Sequence, residues 1–141
     1  MRRHIQQVVQ WSGMLLSLGL ALTFLGCGGD GDETPNIAGT YRGTVQDSVA
    51  GTGTIVTTIA QNDESLTGTF QTTFSNPANN NSGSVSGRIN GSSVSLVVTP
   101  SNPTSCPFNV TANVNGATIQ GTYAAFNCSR AVSGTLSLTR Q

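Results

Sequence analysis

Lysine is absent from this 141-residue chain, which has one histidine (His4) and one tryptophan (Trp11). Both of these rare residues lie in a segment, up to residue 26, that reads as a removable export signal. Beyond it stand four arginines (Arg42, Arg88, Arg130, Arg140) against six carboxylates, a net charge of −2. A nucleic-acid binder needs a basic face to neutralise phosphates, and this composition cannot build one. Without His or Lys, the downstream chain has no Ser-His-Asp or Cys-His nucleophile system, no His-ligated metal site and no Schiff-base lysine. The adjacent carboxylates Asp63 and Glu64 fall in a turn pattern, where solvated loop residues are expected. Asp30, Asp32 and Glu33 match no calcium-loop spacing. The expectation is a protein that is not an enzyme, with no metal and no cofactor.

The first 26 residues have a recognisable order. Arg2 and Arg3 make a charged start, Met14 to Leu25 form an apolar run, and Thr23-Phe24-Leu25-Gly26 lead into Cys27. That run suits a signal-peptide core and is short for a membrane span. The order resembles the signal peptide and lipobox of a bacterial lipoprotein, with Gly26 as the small residue before the cysteine and Phe24 where leucine is more usual. The resemblance implies that Cys27 is the lipidated first residue of the mature protein, carrying palmitate or similar acyl chains. An ordinary cleaved signal is the alternative. The lipobox resemblance also implies a membrane partner through the lipid and a cell-envelope location. Gly28, rather than Asp, follows the cysteine, which favours the outer membrane in a Gram-negative cell. Residues 27–36 are Gly-rich and acidic and read as a flexible tether. Its nine residues after Cys27 reach at most about 30 Å.

Two cysteines remain, Cys106 and Cys128, and in an exported protein they are expected to form a disulfide.

From residue 37 to 141 one pattern recurs: apolar, any, Gly, any, apolar. It occurs as Ile37-Ala38-Gly39-Thr40-Tyr41, Leu66-Thr67-Gly68-Thr69-Phe70, Val85-Ser86-Gly87-Arg88-Ile89, Ile119-Gln120-Gly121-Thr122-Tyr123 and Val132-Ser133-Gly134-Thr135-Leu136. The period of two puts glycines and apolar residues on one face of a strand and Thr and Ser on the other. Continuing that period predicts eight strands near 37–46, 51–60, 65–74, 83–90, 92–99, 107–114, 117–126 and 131–139. Asn90-Gly91 and Asn115-Gly116 predict two-residue type I′ hairpins. Such turns would place Gly87 opposite Val94, Val85 opposite Leu96, Val110 opposite Gly121 and Phe108 opposite Tyr123. An all-β, eight-stranded antiparallel up-and-down meander barrel is the expected fold, because closure removes exposed strand edges. A two-sheet β-sandwich is the alternative. A membrane-spanning barrel would face apolar residues outward, whereas Thr67, Thr69, Gln71, Ser133, Thr135 and Ser137 face out here.

Gly39-Thr40-Tyr41 and Leu66-Thr67-Gly68-Thr69-Phe70 resemble the Gly-Thr-Trp and Leu-Thr-Gly-Thr-Tyr strands of the streptavidin family. The resemblance implies a small ligand-binding-type barrel. It also implies no biotin site: the family's ureido-binding asparagine falls at Gly43, its tyrosine at Phe70, and its stacking tryptophans have no counterpart.

The function expected from these features is a lipid-anchored envelope barrel with a non-catalytic binding or structural role. Tyr41, Phe70, Phe74, Phe108 and Tyr123 are the candidate ligand-facing residues of the interior, though the same side chains could simply fill it as core. The Asn-rich loop Ser75 to Ser82 is the alternative contact site, and a surface-displayed enzyme or inhibitor the remaining alternative. An interior cavity of roughly 300 Å³ or more would favour a small apolar ligand.

Overall fold

In the computed structural model, residues 33–141 are described, so the signal segment, Cys27 and most of the tether lie outside the described residues. Eight strands follow one another: β1 Gly39–Asp47, β2 Gly51–Asn62, β3 Ser65–Phe74, β4 Asn81–Asn90, β5 Ser93–Pro100, β6 Phe108–Asn115, β7 Thr118–Ala125 and β8 Ser133–Arg140. A 3-10 turn at Pro77–Asn79 interrupts the β3–β4 loop, with Asn76 accepting from the Ala78 N–H as its N-cap. Each strand pairs antiparallel with the next, and β8 returns to β1, giving a closed up-and-down barrel. The sandwich alternative is thereby excluded.

Parity along the strands is as the period-two pattern requires. Tyr41, Val45, Leu66, Phe70, Val85, Ile89, Val94, Val110 and Ile119 are buried, while the Thr and Ser positions between them are exposed. The exterior is largely a cladding of hydroxyls, with cross-strand neighbours such as Thr44 and Thr54, Thr58 and Thr69, and Thr111 and Thr122.

The hairpin register differs from the expected one by two residues. Gly87 lies opposite Leu96 and Val85 opposite Val98; Val110 lies opposite Tyr123 and Phe108 opposite Ala125. Asn90 and Asn115 belong to the ladders, paired with Ser93 and Thr118, and the turns are Gly91-Ser92 and Gly116-Ala117. Only the glycine of each turn has positive φ, +56° and +59°. A positive φ at the first central residue alone matches a type II′ turn, whereas type I′ needs it at both. A slip of two leaves every side chain on its own face, so polarity alone could not reveal it.

The two ends of the barrel are unlike. At one end the chain enters across the bottom: Ile37 is buried there among Tyr41, Ile59, Leu66, Ile89 and Val94. Gln61 fixes this entry, accepting from the Ile37 N–H through Oε1 at 2.7 Å and donating through Nε2 to the Pro35 carbonyl at 3.2 Å. The Tyr41 hydroxyl donates to the Ile37 carbonyl at 3.0 Å. Arg140 donates to the carbonyls of Asn36 and Ala38, its guanidinium lying 5.8 Å from the centre of the Tyr41 ring. These contacts close the end from which the N-terminal segment departs. The β1–β2 turn and the three longer loops, 75–80, 101–107 and 126–132, gather at the other end.

Candidate ligand cavity

The loop end is open, and a cavity of about 300 Å³ runs into the barrel from it. The strand pattern explains the lining. Inward positions of all eight strands contribute, giving an aliphatic wall of Val45, Ile55, Val85, Leu96, Val98 and Leu136, with Phe70, Phe74 and Phe108 around it. At the interior glycines Gly68, Gly87 and Gly121 an added Cβ would collide with a carbonyl oxygen of the neighbouring strand. Where the wall is polar, the groups are partnered. Thr57 donates to the Thr69 carbonyl at 2.8 Å and Thr72 to the Asn81 carbonyl at 3.3 Å. Among the described residues no buried side-chain N or O atom lacks a hydrogen-bond partner.

Four of the five aromatic candidates, Phe70, Phe74, Phe108 and Tyr123, line this cavity. Tyr41 does not. It packs at the closed end with 1% of its surface exposed. Phe108 and Tyr123 meet edge to face, their ring centres 5.5 Å apart. The Asn-rich loop is part of the same site, since Ala78, Asn79, Asn80 and Asn81 reach the cavity mouth. So is the disulfide, which joins Cys106 on the β5–β6 loop to Cys128 on the β7–β8 loop with Cα atoms 5.7 Å apart. Cys106 itself lines the mouth. Asp63 and Glu64 form the exposed β2–β3 turn at the far end, away from the cavity.

Asp47 is the site residue that sequence reasoning passed over. It ends β1 on the inward parity of Tyr41, Gly43 and Val45, and lines the cavity. Its Oδ1 accepts from the Val49 and Ala50 N–H groups, both at 2.8 Å, and so shapes the β1–β2 turn. Its Oδ2 accepts from the Tyr123 hydroxyl at 2.8 Å. Asp47 and Tyr123 are two strands apart, with Gly134 of β8 between them in the cross-strand row. Because Gly134 has no side chain, the Tyr123 phenol can lie over it and reach Asp47; a Cβ there would meet the Tyr123 ring. The phenol is held well above the ordinary tyrosine range, first by burial, then by its hydrogen bond to Asp47 and that residue's charge. The signal in the sequence was a lone carboxylate at an inward position of a strand.

No family model matches the chain, and no curated protein matches it. Among solved structures it is similar to EF1p2_mFAP2b bound to DFHBI, with 13% identity, a TM-score of 0.63, and coverage of 74% of this chain and 93% of that one. It is also similar to a redesigned beta barrel, b11L5F_LGL, with 16% identity, a TM-score of 0.59, and coverage of 74% of this chain and 90% of that one. At these identities the likeness establishes the fold: a small, closed, eight-stranded antiparallel barrel.

Proposed function

We propose that this chain is a non-catalytic binder of a small, largely apolar molecule, displayed at the cell envelope on a lipid attached to Cys27. The carrying observation is the cavity of about 300 Å³, open at one end and walled by aliphatic and aromatic side chains. Its volume is at the lower bound of small-molecule sites, which are concave, mostly apolar and furnished with a few placed polar groups. A barrel with a purely structural role has no need of a hollow interior, since filling it would add stabilising contacts. Binding of DFHBI by one similar barrel supports the reading that this architecture accommodates a small molecule. The lipobox-like order before Cys27 supports the anchor. The described N-terminal residues meet the barrel at its closed end, which supports a mouth turned away from the bilayer.

The test is binding of 2-methylnaphthalene to the full chain carrying Cys27→Ser. Saturable binding is expected in that protein and should be lost in a variant that also carries Leu96→Trp, which places a large ring in the cavity. Equal binding by both would locate the probe elsewhere and overturn the reading. For the anchor, a palmitate analogue should label the wild-type chain in cells and spare Cys27→Ser.

A further inference from the structure

The Asp47–Tyr123 pair carries the reading one step further, to the chemistry of the ligand. Apart from Arg130, exposed on the 126–132 loop, Asp47 is the only charged side chain on the lining among the described residues. An ionised carboxylate offers about four lone-pair sites and no donor. Three bonds are already made to it, from Val49, Ala50 and Tyr123. The Tyr123 hydroxyl already donates its one O–H to Asp47, so its oxygen too can only accept. The other polar lining groups are Thr57 and Thr72, whose hydroxyls donate to backbone carbonyls, and the Asn, Thr and Ser residues around the mouth. The charged polar feature of the inner wall is therefore a pair of acceptors. A ligand acceptor placed there would meet lone pairs and a negative charge, whereas a ligand O–H or N–H would complete the remaining valence.

The geometry points to a ligand class: a compact, largely apolar molecule bearing a hydrogen-bond donor, a hydroxyl or an N–H, which it gives to the Asp47–Tyr123 pair. A carboxylate-headed amphiphile is disfavoured at this position by the Asp47 charge. This rests on the cavity-binding reading above, and the two can fail separately.

The experiment measures Kd for 2-naphthol, 2-methylnaphthalene and 2-naphthoate in the full chain carrying Cys27→Ser, with and without Asp47→Asn. Asparagine keeps an oxygen for the β1–β2 turn and puts an amide donor where Oδ2 stood. The readout is the ratio of Kd values between probes, compared across the two proteins, so that their different solubilities in water cancel. A hydrogen bond to a charged group predicts that Asp47→Asn shifts the naphthol-to-methylnaphthalene ratio roughly tenfold against naphthol, leaving methylnaphthalene nearly unchanged. An unchanged ratio with methylnaphthalene still bound would overturn the ligand class and leave the cavity reading standing. If naphthoate binds most tightly to the unsubstituted site, the class is again overturned, in favour of an anion held by Arg130. If no probe binds, both readings fall. Should Asp47→Asn not fold, Tyr123→Phe serves instead: it frees Oδ2, so the preference for naphthol should persist or grow, and its loss would refute recognition by the carboxylate.

Discussion

At the scale of single residues, the interior is governed by what glycine permits and what the two tyrosines hold. Gly121 lies opposite Ala112, not Val110 as the expected register would have it, and an added Cβ would meet the Thr111 carbonyl and the Ala112 methyl. Gly121→Leu is therefore expected to destabilise by at least the usual overpacking cost of about 1–3 kcal/mol. Thr122, one residue on, is exposed, and Thr122→Lys should stay within about 0.5 kcal/mol. Thermal melting of the two variants checks this; the reverse order would invert the assignment of inside and outside. The tyrosines give a pH prediction. Tyr123 is raised by burial and by Asp47, and Tyr41 is raised by burial against an opposing effect of Arg140. The folded state thus keeps both phenol protons after the unfolded chain begins to release them near pH 10. Their contribution to stability is complete below about pH 10 and declines as pH rises beyond it. The chain has two tyrosines and no lysine. Melting temperature should therefore fall between about pH 10 and pH 12, and Tyr41→Phe with Tyr123→Phe should remove most of that slope.

At the scale of elements, strand parity and strand register have different determinants. Alternation of apolar and hydroxyl side chains determines which face is buried, whereas the turn residues decide which pairs meet. The disulfide acts at this level as well. It ties together the loops flanking the β6–β7 hairpin at the open end, across 22 residues of sequence. Closing a loop of that length in the unfolded chain is worth roughly 3 kcal/mol in the chain-entropy description. Replacing both cysteines by serine should lower the denaturant midpoint accordingly with little change in far-UV circular dichroism. The unreduced protein should also show no alkylation at Cys106 or Cys128. Two reactive thiols there would show that the bridge does not form in the cell.

At the scale of the whole molecule, the two unlike ends give the barrel a direction. Ile37, Gln61 and Arg140 seal the end where the N-terminal segment enters, and the loops frame a mouth at the other. A lipid on Cys27, joined by a tether reaching at most about 30 Å, would hold the sealed end near the bilayer. Fluorophores attached at Asp63→Cys and Ala78→Cys would report this, since these positions lie at opposite ends. In vesicles containing brominated lipid, lipidated protein should show stronger quenching at position 63 than at 78. Stronger quenching at 78 would place the mouth against the membrane and make the lipid phase the source of the ligand.

Much of this architecture is a consequence of local chemistry and so was legible in the sequence alone. Strand number, strand limits to within about two residues, the inward and outward faces and the barrel class all follow from period two and turn residues, which act between near neighbours. Composition likewise leaves the described residues without a histidine or a lysine, and so without the chemistry that depends on either. The register was not legible, because Gly87 meets an inward apolar residue whether it faces Val94 or Leu96. Nor was the hollow interior, since the same Val, Leu and Phe positions can fill a barrel or line one; the outcome depends on how far the closed sheet holds its walls apart. The Asp47–Tyr123 bond was the least accessible feature. Its partners are 76 residues apart, and they meet only because β8 closes against β1 and presents a glycine between them.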